Sequence, residues 1–530
     1  MKINNKNIFF AILSIFLASL VSFSYNIESR AMLEATIQSG IINYPGEFNL
    51  MQTVSVNSWS LPIQLISILI KSNISTLIIS RIIILISTLM FFIGIYLVTK
   101  SITGSSLLAL LVSFLVIFLR KNFGLLDYPT VMFSEHTNSL LAQALSTLIF
   151  GLLVNNNIRL SFFFSALLLS VHLTIGLWVN LIIFLTLALK SKIQRNLILD
   201  KKVFIYLFLG LLITSISFFY GMEQKIPLID VYDDSAYKTY MKVWEAHRTG
   251  YGLYSDLINY NYIAKTLVLI LLVLIFLKLK SNKDKINLGI NILLVNCVLA
   301  LITYIIYKFF YSLLPDIIIR IMPSRYLLLH SIIGWPIIFS IFYILTKNIV
   351  SKFYFNFKYF HYFFVVILII NLIQHHSKFI QQYQDIKLNV FNVNKNNKED
   401  EFWNKIKTVN SNGYLLTSSE ACVKTVAFAK KRVFFCPDNL DFIPYFPSSA
   451  GYVKKIVEEV FDIPFDNPEI KYTGGIGKSE LKSSYENKSY NNWVDLKKQF
   501  NISGLIVPKK WKINLEVFYY GEIYNFYLIQ

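Results

Sequence analysis

Glu28 is the first acidic residue of the chain, and it stands in "FSYNIESRAMLEA" (Phe23 to Ala35), directly after an unbroken apolar run. A carboxylate at a lipid–water boundary sheds part of its hydration and becomes a stronger base. Arg30, two residues on, opposes this and favours the ionised form. The plain alternative is a charge at a helix end. Further along, "RKNFGLLDYPTVMFSEHTNS" supplies Asp127, Glu135 and His136. Their oxygen and nitrogen atoms are able to hold a divalent cation. Nothing in their spacing demands one, so no metal or other cofactor is assigned.

His172 lies in "LLLSVHLTIGLWVN", near the end of a short apolar run. An ionisable group at membrane depth is a functional candidate by default. It either donates a hydrogen bond to a phosphate or rests, neutral, on a backbone carbonyl where a helix breaks. "WEAHRTGYG" puts His247 and Arg248 beside Trp244, and "DIIIRIMPSRY" puts Arg320 and Arg325 just before another apolar run. Arginine binds phosphate through two parallel hydrogen bonds and keeps its charge. A departing phosphate needs such partners, because charge builds on it as the bond breaks. Arginines at helix ends also simply snorkel to water.

These residues must be held by a membrane scaffold. The chain has 530 residues, 55% of them hydrophobic and only 15% charged, where soluble domains carry about a quarter charged. Runs near 8–24, 75–98, 104–119, 138–154, 159–172, 175–189, 203–220, 262–279, 287–310, 326–346 and 360–374 are apolar enough to be read as about 11 spans of a polytopic α-helical membrane protein. The first run, Ile8 to Phe23, has no small-residue cleavage pattern after it and is read as a retained helix. The segment 58–71, "SWSLPIQLISILIK", is short and reads as a helix lying on the membrane surface. The runs 159–172 and 175–189 are also short and read as two half-helices around Gly176.

The net charge of +19 does not point to nucleic acid. Residues 1–378 carry 30 Lys and Arg against 14 acids, whereas the remaining 152 residues carry 20 against 17. The basic excess therefore sits on membrane loops, where it sets orientation. With the N-terminus in the cytoplasm, the inner loops hold 16 basic residues and only the acids Asp200 and Asp284. The long loops 25–57, 120–137 and 221–261 then face outward with the other acids, and so does the tail. The third loop, rich in Tyr and Trp, reads either as interfacial anchors or as aromatic faces for carbohydrate.

From about Gln381 the composition changes. "NVNKNNKEDE" reads as a linker. "GYLLTSS", "RVFFCP" and "NISGLIVPKKW" read as strands, "EACVKTVAFAKK" and "SAGYVKKIVEEVF" as helices, and "VFYYGEIYNFYLI" as a hairpin about Gly521. This pattern predicts a C-terminal extracytoplasmic α/β domain over 379–530 beside a membrane domain over 1–378. Cys422 follows the first strand and Cys436 ends the second, so the two are able to meet at one sheet edge, where an extracytoplasmic setting permits a disulfide. Two separately buried thiols are the alternative. Cys297 reads as a core residue. "TGGIGKSE" (Thr473 to Glu480) lacks phosphate-loop spacing and reads as a flexible loop.

"YNIESRAMLEATIQSG" after the first span, followed by "SWSLPIQLISILI", resembles the opening of the GT-C glycosyltransferases. The similarity extends in layout over roughly the first 380 residues, with an external tail domain. Many members carry a pair of acids here; this chain has Glu28 alone, between Ile27 and Ser29. The resemblance implies a multi-span enzyme that takes a sugar from a polyprenyl phosphate and passes it to a glycan or lipid acceptor at the outer face, with inversion. It implies that Glu28 is the catalytic base and that Asp127, Glu135 or His136 supports an acceptor or a metal. Arg248, Arg320 or Arg325 would hold the donor phosphate, with His172 and His247 in support. The setting expected is a bacterial inner membrane. The alternatives are a transporter or flippase, or a polysaccharide polymerase or ligase of the same pathway. No internal repeat of the kind common in transporters is visible.

Overall fold

The computed structural model describes residues 30–44, 49–118, 138–189, 201–227, 233–245, 284–310, 313–320, 327–352, 397–438, 440–468 and 475–530, with residues 9, 12, 13, 15, 16, 19 and 366 besides. The protein is mostly helical, with a small C-terminal sheet. The described chain begins with α1 (Arg30–Gln38), α2 (Leu50–Asn57) and α3 (Leu61–Lys71). Long apolar helices follow as α4 (Thr76–Thr103), α5 (Ser106–Phe118), α6 (Asn138–Val154), α7 (Ile158–Val171), α8 (Leu173–Ala188) and α9 (Lys201–Glu223). Next come α10 (Asp234–Thr239), which runs on as one wide turn Tyr240–Trp244, then α11 (Asp284–Phe309), α12 (Asp316–Arg320) and α13 (Leu327–Lys352).

Two of the described helices, Ile78–Thr103 within α4 and Lys201–Glu223, are long and apolar enough to cross a membrane. The bent pair α2–α3 turns by 114° and adds a third if it is one span. Shorter apolar helices fill the remaining described runs; the expected span 262–279 lies outside the described residues, as do 8–24 and 360–374 but for a few positions. The α3 helix has one face packed inward through Ile63, Ile66 and Ile70 and exposes Leu65, Ile68 and Leu69. An apolar outer face of this kind suits lipid rather than water.

Close backbone contact sets the helix packing. A methyl group on Gly151 would lie 2.5 Å from the Gly94 carbonyl oxygen, so α4 and α6 touch backbone to backbone there. Small residues at such crossings let dispersion contacts replace the hydrophobic drive that lipid does not supply. The α7–α8 pair folds back on itself: Asn180 on α8 donates to the Ser165 carbonyl on α7 at 3.0 Å. The break falls at His172, not around Gly176. Gly176 serves close approach instead, since a Cβ there would lie 2.9 Å from Leu169 Cα.

The tail holds α14 (Asn397–Thr408), β1 (Tyr414–Thr417), α15 (Ser419–Ala427), α16 (Ala450–Lys455, continued by a wide turn to Val460), α17 (Lys478–Glu486), α18 (Tyr490–Phe500), β2 (Ile502–Pro508), β3 (Val517–Tyr520) and β4 (Tyr524–Leu528). The sheet order is β1-β2-β4-β3, parallel between β1 and β2 and antiparallel elsewhere. The expected strand at "RVFFCP" forms only one parallel bridge, Leu415 to Val433. Pro437 has no N–H to extend the pairing, and the chain is drawn off at Cys436. The stretch expected as a flexible loop at Thr473–Glu480 is ordered from Gly475: Ile476 N–H donates to Pro437 O at 2.8 Å, and α17 starts at Lys478.

Cys422 and Cys436 form a disulfide across a Cα separation of 5.8 Å, while Cys297 is buried and free. It closes a loop with a sequence separation of 14, for which chain entropy gives about 3 kcal/mol of stabilisation. Replacing both cysteines by serine is expected to lower the unfolding midpoint of the tail in proportion, read by denaturant titration of the detergent-solubilised protein.

The tail's core is shared. One hydrophobic cluster joins Leu416, Phe435, Phe461 and Trp493 of the tail to Leu33, Ile37 and Tyr44 of the first loop and to Tyr237, Tyr240 and Trp244 of the third. Ile319 of α12 belongs to it too. The described aromatics of the third loop, Tyr237, Tyr240 and Trp244, expected as membrane anchors or sugar platforms, are therefore core residues: Tyr240 and Trp244 are both 0% exposed.

Candidate functional site

A polar seam runs where α2 and α3 meet the ends of α7, α8 and α9. Asn57, the last residue of α2, pairs reciprocally with Ile226: its Nδ2 donates to the Ile226 carbonyl at 3.0 Å, and Ile226 N–H donates to its Oδ1 at 3.1 Å. The chain then turns through Ser58 to Ser60, and Pro62 starts α3 where a missing N–H costs nothing. Trp59 Nε1 donates to Ser217 Oγ at 3.0 Å, Ser217 Oγ donates to Gln64 Oε1 at 2.7 Å, and Gln64 Nε2 donates to the Ser217 carbonyl at 2.9 Å. Ser60 Oγ donates to the Val171 carbonyl at 3.2 Å. The next residue is His172, whose Nδ1 lies 3.0 Å from Thr174 Oγ1.

This seam braces the 114° bend and ties it to the chain one residue before His172. The imidazole is half-buried, and its contact with Thr174 orients the ring. Asn57, Gln64 and Ser217 were not among the sequence candidates. Their signal was present, as lone polar residues inside apolar runs.

Above the seam, α1 is gripped on two sides. Ala31, Met32 and Ala35 pack with Ile63, Ile66 and Ile70 of α3, Ile79 of α4 and Ala427 of α15. Leu33 and Ile37 enter the tail's core. On the third loop, Trp244 Nε1 donates to the Phe465 carbonyl at 2.9 Å and its ring stacks on Phe465 at 5.6 Å. The Tyr240 hydroxyl lies 2.7 Å from the Leu440 carbonyl and 2.8 Å from Oε1 of the buried Glu245. The loop thus enters the tail immediately before His247 and Arg248 in sequence.

Of the sequence candidates, Glu28, Asp127, Glu135, His136, His247, Arg248 and Arg325 lie outside the described residues. Arg320 ends α12, one residue after Ile319 of the shared core, and only its backbone is described. His172, Cys422 and Cys436 are placed as stated above. Among the described residues no group of three His, Cys, Asp or Glu is arranged to hold a metal ion.

The first loop and tail also meet in a tyrosine cluster. Tyr44 stacks on Tyr414 at 6.2 Å, and Tyr414 packs edge-on to Phe434 at 5.8 Å. Burial pushes the hydroxyls of Tyr44, Tyr414 and Tyr452 above the ordinary tyrosine value. A raised value in the folded protein means stability that is complete below the unfolded value, about 10, and lost as pH rises beyond it. We expect alkaline release of the tail to begin near pH 10 and to move upward in Tyr44→Phe, measured by protease sensitivity against pH.

No protein-family model matches the chain, and no curated protein is detectably similar to it in sequence.

Proposed function

We propose that the protein is a membrane glycosyltransferase, moving a sugar from a polyprenyl-phosphate donor to a glycan or lipid acceptor at the outer face of the membrane. One observation carries this reading. The helix that starts two residues after Glu28, the segment that ends just before His247 and Arg248, and the helix that ends at Arg320 all contribute to one hydrophobic core. In sequence, an acid and the cations that a leaving phosphate needs lie next to these segments, although they are more than 200 residues apart, and this adjacency supports the reading. The disulfide supports an extracytoplasmic tail, because such bonds persist in oxidising compartments. About 11 spans, an N-terminus in the cytoplasm and a bacterial cytoplasmic membrane complete the reading.

The chemistry then follows from the residue types. Glu28 takes the proton of the acceptor hydroxyl, whose oxygen attacks the anomeric carbon as the C–O bond to the lipid phosphate breaks. Arg248, Arg320 or Arg325 balances the charge left on that phosphate. Asp127, Glu135, His136, His172 and His247 orient the acceptor or donor, and one direct displacement inverts the anomeric centre. Purified protein mixed with polyprenyl-phosphate sugar and candidate acceptors should consume the donor and release polyprenyl phosphate; no turnover with any lipid-linked sugar would overturn the proposal. The broken hairpin at His172 favours a second reading, a lipid-sugar translocator, since transporters build their sites at broken helices. Proteoliposomes that flip the donor without transferring the sugar would select it.

A further inference from the structure

The bent pair α2–α3 is either one broken span or two helices with separate roles, and their surroundings decide between these. Leu50, Met51 and Val54 of α2 enter the core shared with the tail, and its polar Thr53, Ser55 and Asn57 are buried too. That helix is therefore committed to the tail. The 11 residues of α3 rise only about 16 Å, roughly half of an apolar bilayer core of about 30 Å. On its own α3 cannot cross.

The ends of α3 show how it lies. Ser60, just before it, donates to the carbonyl of Val171, the last residue of α7. At the other end Lys71, Ser72 and Asn73 are exposed, and the chain enters α4 at Thr76. Between these ends α3 runs along α1 and touches α4, α7 and α9 only locally. It bridges the ends of other helices rather than lying beside one of them.

The polarity of α3 is inverted. Gln64 and Ser67 are buried, whereas the exposed positions before Lys71 are Leu65, Ile68 and Leu69. Spacings of three and four place these on one stripe. A helix facing water would carry polar groups there. The stripe continues through Ile74 of the turn to Ile78, Ile82 and Ile86 of α4, all exposed, and α4 is long and apolar enough to cross a membrane. Lipid that covers α4 therefore reaches α3.

We infer that α3 is a monotopic helix seated at the acyl-chain boundary of the leaflet nearer the tail, with Leu65, Ile68 and Leu69 in lipid hydrocarbon. Such a helix buries its apolar face about 5–10 Å into the boundary of headgroups and chains. The opposite face of α3, Ile63, Ile66 and Ile70, packs with Ala31, Met32 and Ala35 of α1 and with Ala427 of α15. One helix layer therefore separates this part of the tail from the bilayer. The seat does not depend on the transfer chemistry proposed above.

Cys297 is buried and the other two cysteines are bonded to each other, so a cysteine introduced at an exposed position is labelled alone. Leu65→Cys and Ile68→Cys, each carrying a bimane fluorophore in phosphatidylcholine nanodiscs, should lose most of their emission to lipids with a nitroxide near the headgroup end of the chain. Lipids with the nitroxide near the methyl end should quench them less. Ile86→Cys, ten residues after Thr76 and so about 15 Å along α4, should show the reverse order. Lys482→Cys, exposed on α17, should respond to aqueous iodide alone. Iodide quenching at Leu65 and Ile68 without lipid quenching would put the stripe in water. Resistance to both quenchers would mean that another protein surface covers it, and stronger quenching by the deep nitroxide would make α3 part of a span. Each of these three results would overturn the inference.

Discussion

Glu28→Gln is expected to lower the rate of sugar transfer by about 10³-fold while leaving donor affinity and tail stability unchanged. Removing a positioned general base costs roughly 10²–10⁴ in rate, and the amide keeps the shape of the carboxylate while losing its basicity. The loss should appear in kcat. Alanine at Arg248, Arg320 or Arg325 should act differently, raising KM for the lipid donor and lowering kcat by about 10²-fold at whichever guanidinium meets the phosphate. Full activity in Glu28→Gln would remove the base from the mechanism and, with it, the reason for reading the first loop as an active-site loop. A drop in kcat alone, with the arginine variants moving KM, would match the division of labour proposed here.

The second large effect concerns stability. Trp244→Ala is expected to destabilise the junction of loop and tail by about 3–5 kcal/mol, the cost of deleting a large buried aromatic and leaving a cavity. Trp244 is 0% exposed, stacks on Phe465 at 5.6 Å and donates its indole N–H to the Phe465 carbonyl. A loss of about 4 kcal/mol multiplies the opened population by roughly 10³. Limited proteolysis of the tail reports it, since cleavage follows that population when opening is fast. Lys242→Ala, two residues away and exposed, should change the rate little. If Trp244→Ala resists protease as well as the unaltered protein does, the third loop is not a structural part of the tail.

Whereas other expected spans are shorter helices among the described residues, the two helices long and apolar enough to cross a membrane were legible because a single property, hydrophobicity over about 20 residues, both marks and causes them. So were β1, β2 and the β3–β4 hairpin, whose residues are β-branched or aromatic and bounded by turn formers. Three features escaped for physical reasons. Gly176 looked like the helix breaker because glycine tolerates any turn, yet the tight packing against Leu169 is what needs it, and the break moved to His172. α17 and α18 lie in a polar segment with few apolar residues to mark a helix face, although Ser489 and Asn492 form a capping box that announces α18. Tyr237, Tyr240 and Trp244 were read by their composition as surface aromatics, because nothing local reveals a partner such as Phe465, 221 residues away. The site residues split the same way: the acids and arginines announce themselves by type, whereas Asn57, Gln64 and Ser217 matter only through the turn they brace.

The shared core also sets an order of manufacture. Leu33 and Ile37 emerge from the ribosome near the start of synthesis, Tyr240 and Trp244 midway, and the tail residues they pack with only from Tyr414 onward. For most of translation, then, the early external segments hold sticky side chains with nothing to cover them. Cells making this protein must shield those segments or tolerate their exposure until Leu528 pairs with Gly504 and the sheet closes.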